Sequence, residues 1–400
     1  MPTAVVILPS STYRAADFLD AADSLDLDLV VASENPPPID MGDRYLQIDC
    51  SDPMAAAEAI AGLGERIGLD GIVAADDTGV MVAAHASSIL GLPGNSPEAA
   101  GATRDKLKMR RRFDAAEVDQ PLFRALKPGD SAEEVAAEIG FPVVMKPLDR
   151  SASQGVIRVD HASDAESVAG RIRRIVGRDA TLLIERYVPG VEMAMEGMVT
   201  NGRLTVLAVF DKPDTRDGPF FPETIFVTPS RHPVDVLEPA ERAAAHAVRA
   251  LGLVQGPAHI ELRVHDQRAK VIEVAARSIG GLCSRSLNFG LMGTTLESLI
   301  LRNAMGIDVS RLHRESVASG VLMIPTPGTG VVSEVKGVEE TRSIDGITGL
   351  DLTIAPGHEV VAPPEGDRYI GFVYARSKMP QTVESALRKA MSKLEVQLEG

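Results

Sequence analysis

Over the first 95 residues, short apolar runs alternate with longer stretches whose apolar residues recur at helical spacing. AVVIL (4–8), LDLVVA (27–32), YLQID (45–49) and GIVAA (71–75) read as strands, separated by helical stretches near 12–24, 53–66 and 78–90. Short β-branched runs between amphipathic helices predict βαβ units and a parallel sheet. PSSTYR follows the first run, where a dinucleotide-binding fold would carry GxGxxG. A dehydrogenase thereby loses its main support. Ser10, Ser11 and Thr12 in that stretch read as helix caps.

The pattern then changes. Residues 103–118, with RDKLKMRRRF, read as one unusually basic helix, and KPGDSAEEVAAEIGFP (127–142) as a capped helix with a Gly-Phe-Pro stop. VVMK (143–146), VIRV (156–159), a helix near 163–176 and TLLIERYV (181–188) make a small α+β unit. From 191 to 275, MAMEGMV, LTVLAVF, AHIELRV and AKVIEVA read as an antiparallel meander, interrupted by a helix at 238–252 that Gly252 breaks. The tail, 318–400, holds VLMIP, ITGLDL and YIGFVYAR as strands and a last amphipathic helix near 380–397. The fold class expected is α/β with an α+β insertion. No internal repeat is visible.

Composition narrows the partners. A net charge of −15 over 400 residues argues against a phosphate-backbone partner such as DNA or RNA, though not against a local pocket for a small anion. With no Trp and 4% aromatics, stacking platforms for single strands are not expected either. Cys50 and Cys283 are far apart and lack CxxC spacing, so neither a disulfide framework nor a structural zinc site is predicted. MPTAVVILPS has no basic leader region and its apolar run is too short for a membrane span. A cytoplasmic protein with no membrane partner is expected.

The chemistry starts in a hairpin. HIELRV (259–264) and KVIEV (270–274) flank the polar stretch HDQRA. A three-residue turn over 266–268 pairs His265 with Ala269 and therefore Glu261 with Glu273. Two carboxylates directly opposed on one face destabilise a sheet unless a shared proton, a basic group or a hard divalent cation compensates. Arg277 and His259 keep the same face by parity. An exposed face with scattered charges would carry the same residues, so the hairpin alone leaves both readings open.

Two further stretches bear on this. FPVVMKPLDRSASQGVIRV (141–159) sets Lys146 at a strand end before a Ser/Gly loop, a combination that can surround phosphate oxygens without being a Walker sequence. LLIERYVPGVEM (182–193) carries Glu185 and Glu192 around a Pro-Gly turn, suited to a purine edge and ribose hydroxyls, or else to solvent at strand ends. Lys106 on the basic helix reads, on its own, as a solvated lysine.

The order of these segments resembles the ATP-grasp superfamily, and most of all carboxylate–amine ligases of the L-amino acid ligase type, over roughly residues 70–305. The resemblance implies an ATP-grasp fold with an N-terminal parallel-sheet domain (1–105), a small lid region with its linker helix (106–190), and an antiparallel-sheet catalytic domain with a C-terminal subdomain (191–400). It implies ATP and Mg²⁺, with Mn²⁺ as a substitute, and phosphate contacts from Lys106, Lys146 and the lid loop residues Ser151, Ser153, Gln154 and Gly155. Glu185, Tyr187 and Val188 would flank the adenine and Glu192 the ribose.

Glu261 and Glu273 look like the paired metal ligands, with Ala275 where the family has Asn and Glu223 as a third carboxylate in compensation. Arg277 would stabilise the transferring phosphoryl group, and Gly280 and Gly281 would bring backbone N–H groups to the acyl group. His259, Arg231 and Arg285 are candidates for a substrate carboxylate, and Cys283 for a buried small residue. The implied reaction joins an acid, an amino acid for preference, to an amine, with a homodimer as the family assembly. ATP-dependent carboxylation of bicarbonate and a non-catalytic ATP-binding role are the alternatives.

Overall fold

The structure, a computed structural model, describes residues 1–9, 12–36, 41–214 and 217–399. Ser10 and Ser11, two of the expected caps, lie outside the described residues. Strands β1 (Thr3–Ile7), β2 (Asp28–Ser33), β3 (Tyr45–Gln47) and β4 (Gly71–Ala74) form an all-parallel sheet in the order β3-β2-β1-β4, as the βαβ pattern predicts. The first helix, Ala15–Ser24, begins after Arg14 with no side-chain cap. Thr12 Oγ1 only accepts a 3.4 Å bond from the Arg14 N–H. Arg14 itself is buried and reaches out of this domain: it donates to Ala75 O (2.9 Å), Ser278 Oγ (2.8 Å) and Glu297 (2.6 Å). Paired through both terminal nitrogens, that buried guanidinium fastens the N-terminal domain to the catalytic one.

The small unit is an antiparallel sheet, β5 (Phe123–Leu126), β6 (Val143–Pro147), β7 (Ile157–Val159) and β8 (Leu182–Arg186), in the order β5-β8-β6-β7. The helices Ala132–Ile139 and Ala165–Val176 share its core. The basic stretch 103–118 is not one helix. It divides at Asp105, whose carboxylate accepts from the N–H groups of Leu107 and Lys108 and so starts a new helix, Lys106–Ala115, after Pro97–Arg104. Met109 and Phe113 of the second helix are buried with the hairpin strands and the helix Val234–Leu251. The linker helix therefore belongs to the catalytic core rather than to the lid, which corrects the 106 boundary.

The catalytic domain comprises β9 (Val191–Thr200), β10 (Arg203–Asp211), β11 (Ile225–Thr228), β12 (Gln255–His265) and β13 (Arg268–Ala275). The tail adds β14 (Ala318–Ile324), β15 (Gly330–Lys336), β16 (Ile347–Leu352), β17 (Glu359–Val360), β18 (Gly371–Ser377) and β19 (Glu395–Glu399). Eight of these form one sheet in the order β13-β12-β9-β10-β11-β14-β18-β16, and β17-β15-β19 form a small second one. The expected meander is thus broken: β12 returns beside β9. The helix Val234–Leu251 carries the chain back across the sheet, burying Ala240, Ala244, Ala247, Val248 and Leu251. The last helix stops at Lys393, and the alternating Glu395–Glu399 pairs with β15 instead of extending it.

Candidate active site

Glu261 does stand opposite Glu273, but by a different route from the one predicted. Asp266 and Gln267 form a two-residue turn with φ of 48° and 58°, pairing His265 with Arg268. That register continues to Leu262 opposite Val271. Carried one step further, it would set Glu261 against Ile272 and turn Glu273 to the other face. A β-bulge at Ile272 intervenes and restores Glu261 against Glu273 and His259 against Ala275. The bulge is held from outside the sheet: Arg110, 1% exposed, donates to Ile272 O (2.5 Å) and Val271 O (3.4 Å).

The same guanidinium donates to Glu185 (2.5 Å), whose other oxygen lies 2.7 Å from Lys146 Nζ. Burial opposes ionisation of Glu185, but Arg110 and Lys146 outweigh it and hold its pKa below the ordinary carboxylate value. Lys106 Nζ is 3.0 Å from Glu273 and 2.6 Å from Arg150 O, so both expected lysines face the cleft and each meets a carboxylate there. Tyr187 and Val188 continue from this strand. Tyr187 donates to Asp217 (2.5 Å) and accepts from Arg263 (2.8 Å), while Val188 O accepts from Arg263 (2.9 Å).

Across the cleft the charge balance reverses. Glu192, Glu223 and Glu261 each offer a carboxylate oxygen within 4.8 Å of the others. Lys212 sits among them, bonded to Glu192, 2.6 Å from Glu223 and 4.0 Å from Glu261. Arg263 also reaches Glu192, at 2.7 Å. Burial, reinforced by Glu261 and Glu192 and opposed by Lys212, pushes Glu223 up to about 7. Burial acts the same way on Glu261, but Lys212 and His259 overcome it and hold that pKa well below normal. His259 is flanked by Glu196 (3.1 Å) and Glu261 (3.7 Å); burial would lower its pKa, but the two carboxylates raise it to about 9. The imidazole is therefore a cation held between two acids, a positioning element for Glu261 more than a free anchor.

Arg277 closes the row. It donates to Asp77 (3.0 Å) of the N-terminal domain, which Arg104 also holds (2.8 Å). Glu273, Glu261, Arg277, Gly280 and Gly281 line one cavity of about 400 Å³ with the two lysines. Gly281 has φ +61°, and a Cβ there would lie 2.5 Å from the Phe372 ring. Of the lid loop, Ser151 and Ser153 line the cavity. Gln154 and Gly155 do not: the Gln154 side-chain amide donates to Glu365 O (2.7 Å) and the Gly155 backbone N–H to Pro364 O (2.8 Å) of the C-terminal subdomain.

Two expected residues are elsewhere. Arg231 pairs with Asp211 (2.8 Å) and Glu384 (2.5 Å), and Arg285 with Asp17 (3.0 Å) and Asp351 (2.7 Å); neither lines the cavity. Acids from distant elements take both guanidinium groups, which removes them as substrate anchors. Conversely, Arg110, Lys212, Asp77 and Arg263 went unremarked in the sequence. Arg263 carried a signal there, since it shares strand parity with His259 and Glu261, and Arg110 a weaker one in its helical spacing with Met109 and Phe113. Among the described residues no helix is long and apolar enough to cross a membrane, and both cysteines are buried and unpaired.

Comparison with known proteins agrees with this geometry. Residues 139–286 match the ATP-grasp domain, 19–94 the ATP-grasp N-terminal domain and 322–399 the L-amino acid ligase C-terminal domain 2. The fold and the cleft are those of an ATP-grasp enzyme, and the chain belongs to that superfamily. By its C-terminal domain it falls among the carboxylate–amine ligases of the L-amino acid ligase type. The protein y4rH of Sinorhizobium fredii is 23% identical over 99% of this chain and 83% of its own length. The alanine–anticapsin ligase of Bacillus subtilis (strain 168) is 27% identical over 56% of this chain, which spans about half (51%) of that relative. The crystal structure of L-amino acid ligase from Bacillus licheniformis superimposes with a TM-score of 0.83 at 22% identity, covering 100% of this chain and 99% of that one.

Proposed function

We propose that the protein joins a carboxylic acid, in the first instance an amino acid, to an amine through an acyl phosphate, releasing ADP and phosphate. The observation that carries this reading is the bulged hairpin, which sets Glu261 and Glu273 side by side in a lysine-bearing cleft that ends at Arg277. Three carboxylates with oxygens within 4.8 Å of one another offer the hard donors that suit Mg²⁺ or Mn²⁺. Glu261, Glu273 and Glu223 would hold the ion, and Glu192, expected at the ribose, belongs to the same acidic group. Bound there, the metal supplies charge neutralisation on the phosphates.

The residues divide the work. Lys106 and Lys146 supply counter-charge to phosphate oxygens, each already balanced against a carboxylate that keeps it in the cleft. An oxygen of the acid attacks the γ-phosphorus as the bond to ADP breaks. The amine then attacks the acyl carbon, phosphate leaves, and the amine nitrogen gives up its proton. Arg277 faces the charge that develops in both steps, fixed in direction by Asp77. The lid sheet, tied to residues 364–365, excludes water that would hydrolyse the acyl phosphate.

Purified protein with Mg-ATP is expected to release ADP and phosphate only when acid and amine are supplied together. AMP and pyrophosphate as products would contradict the scheme, and so would phosphate release that requires bicarbonate.

A further inference from the structure

The far end of the cavity, beyond Arg277, is built from groups that the scheme above does not use. Asp76 lies there, next in sequence to Asp77 but in a different electrostatic position. Asp77 is held by two arginines, whereas Asp76 accepts one backbone bond, from Thr78 N–H at 3.0 Å, and makes no ion pair among the described residues. Burial, aided by Asp77 and only partly offset by the Thr78 N–H, Arg277 and Arg14, raises its pKa. A partly buried carboxylate that makes no ion pair of its own gains from a cationic ligand.

Around it the wall is largely aromatic and apolar, with Asp367 also in the lining. The Phe372 ring is 6.0 Å from Tyr13 and 6.2 Å from Tyr369, centre to centre, which joins the N-terminal domain to the tail in one aromatic cluster. Met323 (4% exposed) and Cys283 (1%) complete it, and burial keeps the Cys283 thiol protonated. Tyr369 also ties this wall to the acidic pocket, its hydroxyl accepting from the Glu223 N–H at 3.2 Å.

We infer that the acid substrate is an amino acid with an apolar side chain, its α-ammonium bound by Asp76 and its side chain laid against Tyr13, Tyr369 and Phe372. This rests on the ligase reading above and names which of the two substrates occupies this end. The α-nitrogen of the donor is one carbon removed from the reacting carboxylate, and Asp76 is one residue from the partner of Arg277. The attacking amine must shed a proton to react, whereas the donor nitrogen must not attack at all. A carboxylate that keeps a nitrogen as ammonium therefore suits the donor.

The test is binding to the Mg-ADP-loaded protein, measured by calorimetry with L-phenylalanine and 3-phenylpropanoate, which differ only in the amino group, and with L-aspartate. The wild-type protein is expected to hold L-phenylalanine about tenfold or more tighter than either other probe. Asp76→Asn, which keeps an oxygen for the Thr78 N–H, should abolish the preference over 3-phenylpropanoate, and Asp76→Glu should retain part of it. Equal affinity for the first two probes, an unchanged preference in Asp76→Asn, or no binding of L-phenylalanine overturns the inference. Its failure leaves phosphate release from other acid–amine pairs untouched. Failure of the ligase reading instead appears in the product assay, without altering these affinity ratios.

Discussion

The two walls of the cleft hold carboxylates in opposite states. On the lid side, Glu185 meets two cations, Arg110 and Lys146, and is almost fully buried. On the sheet side, Glu192, Glu223 and Glu261 share Lys212, with Arg263 and His259 at the margins. The first arrangement is complete within the chain: a buried charge that is paired and hydrogen-bonded on every side is a means of holding elements together. The second crowds three acids around one shared lysine, and the cost falls on Glu223, which burial and its two neighbouring carboxylates push up to about 7; a further cation would relieve it. Counting cations per acid, two for Glu185 against Lys212, Arg263 and His259 for the three sheet-side acids, thus separates the carboxylate that positions the cleft from those proposed to take a ligand.

That contrast breaks most readily at its acidic end. Glu261→Gln or Glu273→Gln is expected to lower turnover about a thousandfold, because the lost charge faces the phosphates. Unfolding free energies should fall only modestly, by about 1–2 kcal/mol, since Lys212 and His259 favour the Glu261 carboxylate and Lys106 pairs with Glu273. A large stability loss with turnover intact would place these residues in the structural class. The reverse is expected at Arg110. Arg110→Met leaves Glu185 short of a partner and frees the Ile272 bulge, so a loss of about 3 kcal/mol in unfolding free energy should be seen. A denaturation curve matching wild type would dissolve the distinction.

The smallest effect is a pH dependence at Asp77, a second acid of the balanced kind. Burial pushes the Asp77 carboxyl up, but Arg277 and Arg104 more than offset it and hold its pKa at about 2. A depressed folded-state pKa stabilises the protein above the ordinary value of 3.8, and that contribution is lost as pH falls through about 2. The stability gap between wild type and Asp77→Asn should therefore be about 2 kcal/mol at pH 7 and shrink steadily below pH 4. A gap independent of pH would mean that the ion pair contributes nothing.

How far such a site can be read from residues alone is clear from the hairpin. Parity put Glu261 opposite Glu273 correctly, yet through a three-residue turn that does not exist. A two-residue turn plus a bulge gives the same pairing, and strand patterns alone do not distinguish the two routes. Lys146 stood out at a strand end before a Ser/Gly loop, whereas Lys106, read within one continuous basic helix, was singled out only by the resemblance. Arg110 was not, being one of three consecutive arginines, of which only helical spacing with Met109 and Phe113 marks the buried member. Lys212 was invisible for another reason: its partners come from β9, β12 and the stretch before β11. Arg231 and Arg285 misled in the same way, since Asp211, Glu384, Asp17 and Asp351 claim them only in three dimensions. Local pattern finds strands and turns, while charge balance in a cleft is a tertiary property.

The central claim is that the bulge aims Glu261 and Glu273 at one cation beside the phosphates. Anomalous diffraction from crystals grown with Mn²⁺ and ADP tests it most directly. A manganese peak in direct contact with both carboxylates, at roughly 2.0–2.2 Å from their oxygens, is the predicted result. A peak held by Glu192 and Glu223 without either hairpin acid, or nucleotide bound with no metal in the cleft, would contradict it.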